Sequence, residues 1–315
     1  MNPLDVVTFG EAMALFMADE TGPLDEVKHF TRELAGAETN VAIGLARLGL
    51  NAGWASKVGE DAFGTYIMKR LSEEKVDVEH VFKDSRYPTG FQLKEKVLSG
   101  DPFVQSFRKG SAASYMNEED FRPDYFSRAA HLHMTGIPLA VSSHTRSFAE
   151  KAQRHMKTLG KSITFDPNLR PALWASEEEM IETVNRMAVQ ADYVLPGLAE
   201  GKVLTGLSSP EEIAAFYLNQ GVKAVVIKLG EDGAYYKTFK EEGVVSPFPV
   251  EAVVDTVGAG DGFAVGLISG LLENLSLHDA VLRGNAIGAL AVQSQGDNDG
   301  YPDRHALFDY MNQTI

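Results

Sequence analysis

Asp255-Thr256-Val257-Gly258-Ala259-Gly260-Asp261-Gly262-Phe263-Ala264-Val265-Gly266 joins a glycine-rich turn to an apolar helical pattern and places a carboxylate at the junction. Gly258 and Gly260 permit close approach of the backbone to a ligand, and the unpaired N–H groups of a helix start can hold phosphate oxygens. Asp261 then stands where a proton acceptor is wanted. The chemistry that suits this combination is phosphoryl transfer to an alcohol. A P-loop would need Gly-Lys-Ser/Thr after its glycines, and a dinucleotide fingerprint would need glycine in place of Phe263, so the turn is a different anion device. The plainer alternative is a helix start whose glycines serve packing and whose aspartate is a cap.

Such a site needs a frame, and 315 residues with 44% hydrophobic content suffice for one large core, with or without a small appended unit. The chain has no cysteine, so thiolate nucleophiles, disulfides and cysteine-ligated metals are excluded. A formal net charge of −15 opposes non-specific binding to nucleic acid or to an anionic membrane, and an anionic substrate would need locally placed cations. No signal peptide and no run of about 18 apolar residues is present, which makes the cytoplasm the expected location.

Short apolar runs alternate with amphipathic helical patterns, the signature of parallel βαβ units. Strands are expected at 5–10, 52–58, 131–135, 162–166, 193–196 and 224–229. A helix over 37–48 presents Val41, Leu45 and Leu48 on one face and stops at Gly49. Ser176, with Glu179 three residues on, reads as a capping box. Two stretches, about 12–35 and 87–115, break the alternation and read as short strands and turns, as in Gly90-Phe91-Gln92-Leu93-Lys94-Glu95-Lys96-Val97. Paired with each other they would form a small β-sheet lid on a single domain spanning 1–315, and a lid would protect a nucleotide from hydrolysis.

Ala35-Gly36-Ala37-Glu38-Thr39-Asn40-Val41-Ala42, followed by Ala46-Arg47-Leu48-Gly49, together with the Asp255–Gly266 stretch, resembles the two signatures of the ribokinase-like (PfkB) carbohydrate kinases. The resemblance covers essentially the whole chain. It implies a three-layer α/β/α domain with a mostly parallel central sheet and an inserted β-sheet lid. Gly10-Glu11-Ala12-Met13, Phe107-Arg108-Lys109-Gly110-Ser111-Ala112, Asp166-Pro167-Asn168-Leu169-Arg170 and Gly296-Asp297-Asn298-Asp299-Gly300 are most like the branch that phosphorylates 2-keto-3-deoxygluconate.

The resemblance implies that Asp261 is the catalytic base, that Gly258, Ala259 and Gly260 form the anion hole, and that ATP arrives with Mg²⁺. Asp261 then needs only to be ionised and within reach of the hydroxyl, since catalysis here is mostly positioning and charge stabilisation. Gly36 and Asn40 match positions that hold sugar hydroxyls. Arg108 and Arg170 match cations for a carboxylate end, a two-point contact that a neutral sugar would not need, although either could instead make an ordinary surface ion pair. Relatives often carry lid tyrosines where this chain has Gln92, Ser106 and Phe107. Glu200 is retained near the phosphates, for Mg²⁺ through water, while an asparagine of many relatives is Gly197 here. Lys228, Gly230 and Gly233 resemble a segment beside the nucleotide and Asn285 a position beside adenine, with a hairpin turn and a packing amide as the alternatives. Asp255 is a candidate ligand for a monovalent cation such as K⁺.

His131 and His133 point to one face of a strand but lack a third metal ligand, and Asp297-Asn298-Asp299-Gly300 lacks the glutamate of a calcium loop. The expected activity is ATP-dependent phosphorylation of 2-keto-3-deoxy-D-gluconate at its C6 hydroxyl. A kinase of another small sugar (fructose, ribose or similar) and a non-catalytic sugar-binding regulator are the alternatives. The expected partners are the sugar acid, ATP and further copies of the chain in a homo-oligomer, with neither nucleic acid nor membrane.

Overall fold

The computed structural model describes residues 3–97 and 102–314; residues 98–101 of the second irregular stretch, like 1, 2 and 315, lie outside it. Among the described residues thirteen strands form two sheets. β1 (Leu4–Phe9), β4 (Ala52–Gly59), β5 (Val81–Asp84), β8 (Ala129–Thr135), β9 (Ser162–Asp166), β10 (Tyr193–Val194), β11 (Ala224–Lys228), β12 (Ala234–Thr238) and β13 (Glu242–Val245) make the larger one, ordered β13-β12-β11-β10-β9-β8-β1-β4-β5. From β11 to β5 every pairing is parallel, and the β11-β12-β13 edge is antiparallel.

Strand alternation explains the layers. Val6 packs into a core shared with the helices Ala37–Arg47, Ala259–Leu272 and Leu277–Ala291, whereas its neighbour Val7 packs into a second core shared with Ser143–Thr158, Glu177–Ala188 and Pro210–Leu218. Helices therefore cover both faces. The expectation of an α/β/α ribokinase-like fold with a mostly parallel sheet and a smaller separate sheet holds. Among the described residues no helix is long and apolar enough to cross a membrane.

The smaller sheet is β3-β2-β6-β7, built from β2 (Met13–Thr21), β3 (Phe30–Ala35), β6 (Phe91–Lys96) and β7 (Val104–Phe107). Its pairing of β2 with β6 is parallel and joins the two irregular stretches directly, Ala14 opposite Phe91 and Met17 opposite Lys94. The chain enters this sheet immediately after β1, at the point where strand order reverses between β8 and β4. That reversal opens a crevice outside the carboxyl ends of the parallel strands.

Local signals are met unevenly. The helix Ala37–Arg47 ends as its pattern predicts, but Ser176 makes only half of its capping box. Ser176 accepts from the Glu179 N–H, while the Glu179 carboxylate turns away to Arg146 at 2.9 Å.

Candidate active site

A cavity of about 760 Å³ lies in the crevice between the large sheet and the small one. Asp261 is on its floor, in the first turn of the helix Ala259–Leu272, behind Gly258 with φ of +83°. Gly258 cannot be replaced freely, because a Cβ there would overlap the Asp297 carbonyl as well as strain the backbone. The N–H groups of this first turn have no intrahelical acceptor and line a cradle for anionic oxygen.

Asn40 donates its amide to Asp261 Oδ2 at 2.8 Å and Asn168 donates to Oδ1 at 3.3 Å, so both carboxylate oxygens are oriented. Burial pushes Asp261 up to about 7; the Asn40 hydrogen bond opposes this, Asp166 and Asp297 add to it, and Lys228 opposes it. Asp261 thus departs from the simple expectation of an ionised aspartate that needs no shift. Asn40 is held in turn by Asn298, whose amide donates to its Oδ1 at 2.9 Å. Asn298 belongs to the loop that resembled a calcium site. Its sequence-neighbour Asp297 lines the cavity, pushed up to about 6 by burial.

Three of the parallel strands contribute at their carboxyl ends. Asp166 closes β9 and accepts from Lys228 Nζ, at the end of β11, at 2.6 Å. Burial opposes the Lys228 charge, yet Asp166 and Glu200 hold its pKa above the ordinary lysine range. This ammonium lies beside the anion cradle, 3.5 Å from where a Cβ on Gly260 would sit. Thr135, ending β8, donates to Glu38, a buried carboxyl raised to about 7 by desolvation. Glu200 accepts from the Leu169 N–H at 2.7 Å and the Gly197 N–H at 2.8 Å. No group of three or more His, Asp or Glu suited to a metal ion exists among the described residues. Lone carboxylates such as Glu200, already fixed by backbone donors, fit a hydrated Mg²⁺ that arrives on nucleotide phosphates and keeps its water.

Gly36, Gln92, Ser106, Arg108 and Arg170 also line the cavity, on its small-sheet side and rim. Arg108 is no free fork: its Nε donates to Glu11 at 2.7 Å in a buried pair, and Ser111 donates to the other Glu11 oxygen at 2.5 Å. Arg170 is exposed and holds only backbone oxygens, Leu169 O at 2.9 Å and Asn168 O at 3.4 Å. Gln92 faces Ser106 across β6 and β7 and donates to its hydroxyl at 2.9 Å, so these two satisfy each other.

Several sequence assignments change. Gly230 and Gly233 lie outside the cavity, in the hairpin connection from β11 to antiparallel β12, and a Cβ on Gly233 would overlap the Val245 carbonyl. Asn285 directs both amide hydrogens at main-chain carbonyls, Val245 O at 3.0 Å and Ser246 O at 2.9 Å, which fastens the β13 exit to its helix. Ala259 is the first helical residue, its N–H pointing back toward Thr256 O at 3.4 Å. Asp255 is ion-paired with Lys94 at 2.5 Å, so an ammonium already stands at the candidate monovalent-cation ligand. His131 and His133 form a hydrogen-bonded chain with Ser162 and Thr164 inside the sheet, and burial lowers both to about 3. They are structural.

Sequence reasoning gave no site role to Glu11, Glu38, Asp166, Asn168 or Lys94, and placed Asp297 only in a loop expected to close over nucleotide or substrate. Lys94 carried a usable signal: two residues from Gln92 on a strand, it must share that side chain's face.

The chain matches the model of the pfkB family carbohydrate kinases over residues 3–304. It is 53% identical to the 2-dehydro-3-deoxygluconokinase of Bacillus subtilis (strain 168), over 98% of this chain and 96% of that protein. Among solved structures it resembles a ribokinase II of E. coli in complex with ATP and Mg²⁺, with a TM-score of 0.92 and 29% identity over 98% of this chain and 99% of that one. A double-mutant fructokinase of Vibrio cholerae O395, bound to fructose, ADP and a potassium ion, gives a TM-score of 0.85 at 29% identity, over 98% of this chain and 99% of that one.

Proposed function

Since the chain belongs to the pfkB family of carbohydrate kinases, we propose that it transfers the γ-phosphoryl group of ATP to the C6 hydroxyl of 2-keto-3-deoxy-D-gluconate, giving the 6-phosphate and ADP. The observation that carries the kinase chemistry is Asp261, a buried carboxylate oriented by Asn40 and Asn168 in the first turn of a glycine-led helix. In the proposed step the C6 oxygen forms a bond to the γ-phosphorus and the bond to the β,γ-bridging oxygen breaks, its electron pair leaving with ADP. The hydroxyl proton passes to Asp261. Charge spreading over the transferring group is received by the turn's N–H groups and by the Lys228 ammonium. When bound, Mg²⁺ would neutralise phosphate charge, with Glu200 reaching its water shell.

For the sugar, support comes from the 53% identical relative and from the two arginines on the cavity wall. One observation favours a second reading, a neutral ketose: Glu11 already offsets much of the Arg108 charge, leaving Arg170 as the cation less committed to a carboxylate. ADP release measured across sugars and sugar acids separates the two. The expected outcome is the highest kcat/KM for 2-keto-3-deoxygluconate. Arg170→Ala should raise KM for that acid on the order of tenfold and leave KM for a neutral sugar within twofold. A neutral sugar as best substrate would overturn the substrate and keep the kinase.

A further inference from the structure

We infer that Lys94 is a positioning residue through which the small sheet holds the glycine-rich turn in its anion-binding shape, by supplying that turn with a built-in monovalent positive charge. Lys94 projects from β6, is 4% exposed, and separates the main cavity from a second one of about 130 Å³ that also borders Asp255. Its Nζ lies 2.5 Å from Asp255 Oδ2 and 3.7 Å from Asp297 Oδ1. Asp297 Oδ1 is buried and has no hydrogen-bond partner of its own, so this ammonium is its electrostatic support.

Both carboxylates belong to the backbone segments that shape the cradle. Asp255 Oδ1 accepts from the Val257 N–H at 3.1 Å, one residue before Gly258, and the Asp297 carbonyl fills the space where Gly258 lacks a side chain. Without Lys94 two buried carboxylates would face each other, and a phosphate chain, beside the turn. Buried charge left unpaired is costly, and the turn's cheapest response is to move apart. With Lys94 seated, the lid strand and the two loops are one electrostatic unit, so docking of the small sheet and formation of the anion cradle are coupled.

The inference rests on the kinase reading but on no particular sugar, and its test separates the two. Lys94→Met should weaken calorimetric binding of ADP with Mg²⁺ on the order of tenfold and lower kcat on the order of tenfold to a hundredfold, measured on whichever sugar the wild type prefers. Amide hydrogen exchange across 254–260 should accelerate, while Kd for the sugar alone stays within twofold. Lys94→Arg should recover part of both losses. In a double-mutant cycle with Asp255→Asn, the pair should be no worse than the more damaged single variant, because the two residues act as one. Unchanged nucleotide Kd and kcat, a loss confined to the sugar, or strict additivity in the cycle would each overturn it. If Lys94→Met does not fold, Lys94→Arg and Asp255→Asn decide the matter by the same nucleotide Kd and exchange measurements.

Discussion

Asp261 is held by two amides and surrounded by carboxylates, and its pKa near 7 belongs to the ligand-free site. A base works in its ionised form, so kcat/KM, which reports the free enzyme, should fall as pH drops through about 7 and level off above it. A profile flat down to pH 5.5 would mean that Asp261 titrates lower in the working enzyme, and its role as base would then rest on the Asp261→Asn variant alone. Asp261→Asn should lower kcat on the order of a hundredfold or more with Kd for ADP nearly unchanged. That Asp261 and Asn40 belong to one cavity was legible because each sits inside a dense motif. The parts played by Glu11 and Asp297 were not: both stand in short blocks that resemble the family, but a block does not say which partner its acid meets, and only folding reveals that one pairs with Arg108 and the other backs Gly258.

The helix that carries Asp261 is seated by its glycines. Gly266 packs against the backbone of Arg283 and Gly284, where a Cβ would come within 2.5 Å of main-chain atoms, and a Cβ on Gly270 would lie 2.7 Å from the Ala280 Cβ. Backbone cannot yield as a side-chain end can, so Gly266→Ala should destabilise by about 1–3 kcal/mol, read from urea unfolding. Gly288→Ala, whose Cβ would meet ordinary contacts at 3.4 Å or more, should be neutral or stabilising by up to about 1 kcal/mol through helix propensity. Equal losses would mean that close packing is not the cause. The parallel strands were readable from apolar runs bounded by turns, such as Ser162–Asp166. The parallel edge strand β5 and the antiparallel β12 and β13 were not: β5 and β13 lie at the sheet edges and mix polar residues into short runs, as Val81-Phe82-Lys83-Asp84 does, and β12 ends in Lys237-Thr238.

For the whole molecule, the small sheet is joined to the body by the Lys94–Asp255 ion pair, by Phe16 and Phe91 packed on Phe63, and by Arg32 over the Tyr66 ring, and it forms one wall of the cavity. Small-angle scattering should show a smaller radius of gyration once ADP, Mg²⁺ and sugar are added together, and superimposable profiles would exclude a moving lid. The cavity's opposing walls also come from the two ends of the chain. Asn40 meets Asp261 and Asn298, Arg47 donates to Asn298 O at 2.7 Å and Tyr301 O at 3.1 Å, and Arg304 caps Leu48 O. At ribosomal speeds of about 5–20 residues per second, the helix Ala37–Arg47 emerges on the order of ten seconds or more before these partners exist. Val41, Ile43 and Leu45 share their core with Val6 and Trp54, made close to them in time, but must wait that long for the cover supplied by the helices Ala259–Leu272 and Leu277–Ala291. Catalytic competence therefore waits on the segments that supply Asp261 and Asn298, made well after the helix they meet.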